Sequence, residues 1–245
     1  MGKKKLQRFE AFANFSNTFD FAYDLKGKWK QDVFYNNNPI VLELGCGKGE
    51  YTVALAQNFP NKNFIGIDIK SNRMWVGAQK AIDNNMSNVA FMRAVMHKID
   101  VLFDAGEVDE IWITFPDPFP RMRSAKHRLT HTRFLRLYQK ILKPGGAINF
   151  KTDSDELFDF TLLQLEHLQI TPEIIDQNVH ANPNADSLLK NVRTHYENLF
   201  MAKGKNIKYT RFNLSHFTEE AATAFENWFE QERQKRVETG ESRGL

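Results

Sequence analysis

Only one cysteine, Cys46, occurs in 245 residues, so no internal disulfide can form and no second thiol stands at metal-ligand spacing. A reducing compartment is the expectation. Long apolar runs are also missing: the richest pieces, such as 111–115, fall far short of the roughly 18 residues that a membrane-spanning helix needs. The start is basic, but Gln7, Arg8 and Glu10 break what would have to be a signal peptide's apolar stretch. Gly2 is followed by Leu6 where an N-myristoylation site wants Ser or Thr. The chain is therefore expected to be cytoplasmic and to have no membrane association. A strong charge of one sign is lacking too, since 33 Lys and Arg against 30 Asp and Glu leave a net +3. That excess is too small to argue for nucleic-acid binding, and any such argument must come from local clustering. Disorder is excluded by what is present, because 42% hydrophobic and 13% aromatic residues supply ample area for a core.

From Pro39 onward short β-rich runs alternate with longer segments of helical spacing, the pattern of a parallel sheet with helices on both faces. The strands expected are 40–44, 63–68, 89–93, 110–114 and 147–151, with helices over 73–84 and 133–142. A helix to about Leu168, a strand near 173–178, a turn at Asn182-Pro183-Asn184, a helix at 194–203, a strand at 207–214 and a charged helix after Thr218 complete the pattern. Residues before Asn36 read as an appendage too short for a core of their own. The expected organisation is a basic extension over 1–38, a main domain over 39–215, and a charged helix and tail over 216–245, without internal repeats.

The first strand runs into Glu43-Leu44-Gly45-Cys46-Gly47-Lys48-Gly49. Glycine at every second position lets the backbone turn tightly and bring a ligand against bare main chain at a helix N-terminus. The second strand ends in Gly66-Ile67-Asp68, where a carboxylate can accept hydrogen bonds from both hydroxyls of a ribose. An adenosine-like ligand fits this pair. The spacing is E-x-G-x-G-x-G rather than the dinucleotide G-x-G-x-x-G, which favours S-adenosylmethionine: it has no pyrophosphate, and its amino group can meet an acid such as Glu43. A turn at Lys143-Pro144-Gly145-Gly146 stops a helix before the fifth strand. With the glutamate-led glycine turn and Asp68 it resembles class I S-adenosylmethionine-dependent methyltransferases over about 39–152. The resemblance implies a Rossmann-like sheet, mostly parallel, with an antiparallel last strand.

At the carboxyl end of the fourth strand, where substrate meets cofactor in such sheets, stands Phe115-Pro116-Asp117-Pro118-Phe119-Pro120, followed by the basic run Arg121, Arg123, Lys126, His127 and Arg128. Three prolines stiffen the turn that carries Asp117. A charge run is commonly a solvated loop, but beside a cofactor site it suits phosphate contact. This segment resembles the bacterial tRNA (guanine-N7)-methyltransferase family, whose counterpart reads close to F-P-D-P-W-P-K-K-R-H-x-K-R-R-L. Phe119 takes the tryptophan place and Met122 replaces one cation. The likeness continues through Phe150-Lys151-Thr152-Asp153, Thr194-His195-Tyr196-Glu197, Phe200, Gly204 and Ile207.

The resemblance implies transfer of a methyl group from S-adenosylmethionine to N7 of a tRNA guanine, the variable-loop guanine at tRNA position 46, with S-adenosylhomocysteine as product. It places Asp117 as the catalytic residue at the junction of cofactor and target. Glu43, Gly45, Gly47, Asp68, Val95 and Asp117 go to the cofactor. Arg121, Asp153, Thr194, His195, Tyr196 and Glu197 go to the substrate, and Arg123, Lys126 and Arg128 more weakly to the tRNA backbone. Val95 stands where the family often has Asp or Asn beside adenine, so a contact there would run through main chain. The basic start, Lys3, Lys4, Lys5 and Arg8, is either an arm on tRNA or a solubilising tail. Histidines 97, 127, 131, 180 and 195 show no metal spacing, and Trp75 and Trp112 are expected in the core. No metal and no obligatory protein partner is expected. Competing readings are a methyltransferase of proteins or small molecules, a non-catalytic nucleic-acid-binding subunit, and a nicotinamide-dependent dehydrogenase, the last disfavoured by the glycine spacing.

Overall fold

The computed structural model describes residues 3–238; Met1, Gly2 and the tail 239–245 lie outside the described residues, as do the side chains of Lys3 and Lys4. The strands are β1 (Thr18–Asp20), β2 (Ile40–Leu44), β3 (Asn63–Asp68), β4 (Val89–Arg93), β5 (Val108–Thr114), β6 (Leu142–Thr152), β7 (Ile174–Asp176) and β8 (Lys208–Asn213). They form one sheet in the order β1-β4-β3-β2-β5-β6-β8-β7. Pairing is parallel from β1 to β6, and β8 runs antiparallel to both β6 and β7. The chain fills one side of β2 with β3 and β4, then crosses to β5, so the topological switch point lies between β2 and β5.

The two-residue period of the strands sorts the sheet into two faces. Ile40, Leu42 and Leu44 of β2, Ile111 and Ile113 of β5, and Ile148 and Phe150 of β6 enter one core. It is closed by α4 (Thr132–Ile141), α5 (Asp155–His167) and α8 (Glu219–Glu238). Val41, Trp112 and Tyr209 face the other core, with α1 (Lys3–Ala13), α2 (Glu50–Asn58) and α3 (Ser71–Asp83). The same alternation turns Glu43, Thr114, Asn149 and Lys151 toward this second face, which makes it the polar-bearing one. Helix α4 buries Phe134, Leu135, Tyr138 and Ile141, a helical stripe, and α8 docks on it through Arg136, which donates to Glu219 (2.7 Å) and Glu226.

The Lys-Pro-Gly-Gly turn belongs to β6 itself. Val108 pairs with Leu142 and Glu110 with Ala147, so residues 143–146 bulge out of the strand, with Gly145 at φ +74°. The segment before Asn36, expected as an appendage, is woven into the fold. Thr18–Asp20 adds the edge strand beside β4, and α1 lies on α3 with Arg8 over the Trp75 ring at 4.8 Å. Trp29 is fully buried, stacks on Phe103 and donates from Nε1 to the Leu102 carbonyl.

Candidate functional site

A cavity of about 1040 Å³ opens at the carboxyl ends of β2, β3 and β5, over the switch point. Its floor is the glycine turn. Gly45, Gly47 and Gly49 take φ of +73°, +57° and +71°, a region that side chains rarely enter, which explains the alternating glycines. They are not equivalent. A Cβ on Gly49 would strike the Phe91 ring, whereas one on Gly47 would meet nothing within 4 Å and one on Gly45 only Leu129. The first two thus leave an open cradle, and the third packs the turn onto the sheet.

Asp68, at the end of β3, accepts from the Gly47 amide on one oxygen (3.0 Å) and from the Lys70 amide on the other (2.9 Å). Its carboxylate is fixed at the cradle rim with lone pairs left for a ligand. Glu43 lies beneath, buried, accepting from the Thr52 amide (2.8 Å), the Thr52 hydroxyl and the Thr114 hydroxyl (2.6 Å). Burial pushes its carboxyl up to about 7, against the pull of those hydrogen bonds. Burial raises the Cys46 thiol as well, so this cysteine is a packed apolar group rather than a nucleophile. Val95, between Ala94 and Met96, forms a half-buried part of the wall.

Asp117 lines the same cavity, is exposed, and has no hydrogen-bond or ion-pair partner among the described residues. Phe115 and Phe119 on either side adopt φ of +49° and +43°, left-handed geometry that costs on the order of 1–3 kcal/mol apiece for such side chains. The turn is held from behind. Arg128 donates to the carbonyls of Pro118 (3.2 Å) and Phe119 (3.1 Å) and lies over the Phe160 ring at 4.3 Å. The open glycine cradle and the carboxylates of Asp68 and Asp117 thus line one cavity.

Residues 37–210 match the profile of a family described as putative methyltransferase. The chain is 46% identical over 222 residues to the tRNA (guanine-N(7)-)-methyltransferase of Bacteroides thetaiotaomicron, which covers 87% of each chain. It belongs to the tRNA (guanine-N7)-methyltransferase family. It is likewise 43% identical over 220 residues to the same-named protein of Christiangramia forsetii, covering 86% of this chain and 98% of that one. Among solved structures it resembles a 16S rRNA methyltransferase, at a TM-score of 0.58 and 12% identity over 76% of this chain and 92% of that one. An antibiotic-related methyltransferase gives 0.56 and 17% over 74% and 90%. At such identities the likeness is of fold, that of class I methyltransferases.

The residues that the family resemblance assigned to substrate divide into two groups. Asp153, Thr194 and Tyr196 line the cavity; Asp153 lies 3.7 Å from Lys205, and Thr194 caps α7 (His195–Ala202) by accepting from the Glu197 amide (3.1 Å). Tyr196 stacks on Phe200 and Phe200 leans on Phe115, a row of three aromatic rings along one wall. His195 is exposed, and its amide donates to Glu50. Arg121, Arg123 and Lys126 are exposed beyond the mouth.

Two of the residues expected at the tRNA are buried and paired within the fold. Arg128, expected on the tRNA backbone, is fully buried and spends its guanidinium on the carbonyls of the Asp117 turn. Burial draws its pKa down to about 10. Glu197, expected at the substrate, is also fully buried, bound to Lys151 (2.8 Å) and His180 (2.9 Å). Sequence reading missed Thr52 and Thr114, which hold Glu43, and the aromatic row, whose members lie 85 positions apart between Phe115 and Phe200. Among the described residues no group of three or more metal-ligating side chains gathers, and no helix is long and apolar enough to cross a membrane.

Proposed function

We infer that this protein transfers the methyl group of S-adenosylmethionine to N7 of a guanine in tRNA. The observation that carries the reading is that one cavity is lined by the open Gly45–Gly47 cradle and Asp68 together with the Asp117 turn and the Tyr196–Phe200–Phe115 row. The cradle fits the donor: Asp68 has acceptor capacity for a ribose, and Glu43, ionised, can meet an amino group. Val95 belongs to the wall beside the base. When bound, S-adenosylmethionine supplies an electrophilic methyl on a cationic sulfur and leaves as S-adenosylhomocysteine.

Guanine N7 carries an in-plane lone pair and no proton at neutral pH, so the protein needs no general base. Its work is alignment and charge accommodation. Asp117, without a partner among the described residues, is available to the N–H edge of the purine and to the positive charge that the methylated ring acquires. The aromatic row offers a π-face for the base. Asp153 and Thr194 complete the substrate wall, with His195 at its outer end, and Arg121, Arg123 and Lys126 lie where they can meet phosphates. We assign the catalytic residues to the unit 39–215, to which the flanking segments 1–38 and 216–245 add β1, α1 and α8 as integral parts of the same fold, the setting to the cytoplasm, and the target to the variable-loop guanine at tRNA position 46.

The test is incubation of the protein with labelled S-adenosylmethionine and unmodified tRNA, followed by mapping of the label. N7-methylguanosine in the variable loop is the expected product. Label on another base, or on protein in preference to tRNA, overturns the assignment.

A further inference from the structure

The reaction as described leaves one cluster of charge unused, and it is buried. Lys151 projects from β6 on the polar-bearing face and is fully buried, as is Glu197. Its ammonium donates to the Glu197 carboxylate at 2.8 and 3.0 Å, to the Leu189 carbonyl at 2.7 Å and to the Val192 carbonyl at 3.4 Å. Every donor on Lys151 is therefore spent on three points of one segment, residues 189–197. His180, half-buried, binds Glu197 Oε1 at 2.9 Å, the oxygen that also lies 2.8 Å from the Lys151 ammonium. Burying such a pair costs several kcal/mol per ion after relaxation, and apolar residues of similar volume generally serve stability as well or better. Stability alone is thus a poor reason for the cluster.

What the cluster fixes is the start of α7. The sequence Thr194-His195-Tyr196-Glu197 has the form of a capping box, in which the glutamate would turn back to the Thr194 amide. Thr194 does cap the Glu197 amide, but the Glu197 side chain points down into the sheet instead. On the other side, the His195 amide donates to Glu50, at the start of α2 just past the glycine turn. The first turn of α7 is anchored between sheet and cofactor turn, and the residue between the two anchors is Tyr196. Its ring continues through Phe200 to Phe115, next to the Asp117 turn, and the Lys151 ammonium lies 5.9 Å from the Phe115 ring centre.

We propose that Lys151, Glu197 and His180 form a latch that sets the aromatic wall against the cofactor cradle, making Lys151 and Glu197 positioning residues for methyl transfer. This rests on the reading of the cavity as the site where a tRNA guanine meets the methyl donor. The latch touches neither partner. Its effect is on the angle and distance at which the base is presented, and displacement of a reacting group by about 1 Å can cost on the order of a hundredfold in rate.

The test is the charge-free double variant Lys151→Met/Glu197→Gln, compared with wild type in three measurements. The expected result is a melting temperature near wild type, unchanged S-adenosylmethionine affinity, and kcat on saturating tRNA reduced by about tenfold or more. Amide hydrogen exchange in α7 speeds up while that in β2 and β5 does not. Wild-type kcat in a folded double variant, or unaltered exchange in α7, overturns the latch. The exchange measurement decides the point even if wild type fails to methylate tRNA, an outcome that removes the functional reading separately. Should the double variant not fold, His180→Leu leaves the Lys–Glu pair in place and loosens only one side of it. A several-fold fall in kcat is then expected, and a wild-type kcat overturns the proposal.

Discussion

Replacing Glu43 by Gln separates the stability of this fold from its use. In the folded chain burial lifts the Glu43 carboxyl from 4.5 to about 7, so between those values the folded state holds a proton that the unfolded state has released. Stability therefore falls as pH rises through that window, by roughly 3 kcal/mol for a shift of about 2.5 units at 1.36 kcal/mol each. His131 does the opposite. It caps α4 by accepting the Arg133 amide on Nδ1 at 3.1 Å, and burial draws its pKa from 6.5 to about 4, so the folded state refuses a proton that the unfolded state takes up. Its contribution is lost as pH falls from about 6.5 toward 4, again by about 3 kcal/mol. Between about pH 4.5 and 6.5 the two slopes cancel in wild type. Gln at 43 keeps an acceptor for Thr52 and removes the titration. The variant is expected to be more stable than wild type above pH 7 by up to about 3 kcal/mol, some 6–12 °C in melting temperature for a chain of this size. Its stability should fall away in acid, where the His131 slope stands alone, while S-adenosylmethionine binds about tenfold or more weaker for want of a charged partner. Chemical denaturation from pH 4.5 to 8, with calorimetric titration of the cofactor, tests both halves. Equal pH profiles for variant and wild type would refute the account of Glu43.

His131→Asn keeps a helix cap and should leave stability unchanged near pH 7.5 but raise it above wild type at pH 5; a profile parallel to wild type would show that His131 takes up its proton alike in the folded and unfolded states. Asp117→Asn should preserve cofactor affinity and lower single-turnover methylation by more than about tenfold, through loss of a negative charge beside a cationic purine. Recovery of that rate as pH is raised would replace charge stabilisation by general-base catalysis. Neutralising Arg121, Arg123 or Lys126 singly should each flatten the salt dependence of tRNA binding by about 0.7–0.9 in the log–log slope. Arg128→Met should leave that slope alone and lower stability by about 1–3 kcal/mol for each carbonyl left unpaired, and a flattened slope would contradict its place behind the turn.

The part of the candidate site around the glycine turn was legible in the sequence because its determinants are local. A strand of period two, three glycines at spacing two and an acid closing the next strand are read within thirty residues, and the fold places Gly45, Gly47, Asp68 and Glu43 together as that pattern requires. The part around the Asp117 turn and α7 depends on partners far apart in the chain. Arg128 follows Arg121, Arg123 and Lys126 in what looks like one solvated basic run, and nothing in composition tells that Phe160 and two carbonyls will enclose the last of them. Glu197 reads as half of a capping box or as a substrate ligand, and only the alternation of β6, which turns Lys151 to the same face, diverts its side chain inward. The N-terminal segment was hidden for another reason: a three-residue strand is too short to show a period, and Trp29 stands without neighbours in any pattern.

The two carboxylates of the cavity show how environment divides the work between like groups. Glu43 is enclosed, holds three hydrogen bonds and titrates near neutrality, which suits a group that must be ready for a cation and otherwise stay silent. Asp117 is open to water and has no partner among the described residues, which suits the proposed role of a group whose partner arrives with the RNA. An exposed side chain ordinarily gains little from charge, because solvent screens it. Here the backbone around it is held in advance by the strained Phe115 and Phe119, by three prolines and by Arg128 from beneath, so no reorganisation remains when the base covers the mouth and excludes water. Preorganisation of this kind is where a carboxylate becomes strong. For an acceptor atom that needs no deprotonation, rigid aim is most of what catalysis requires, and on the proposed reading the buried cations Arg128 and Lys151 bear on it through the backbone carbonyls they hold.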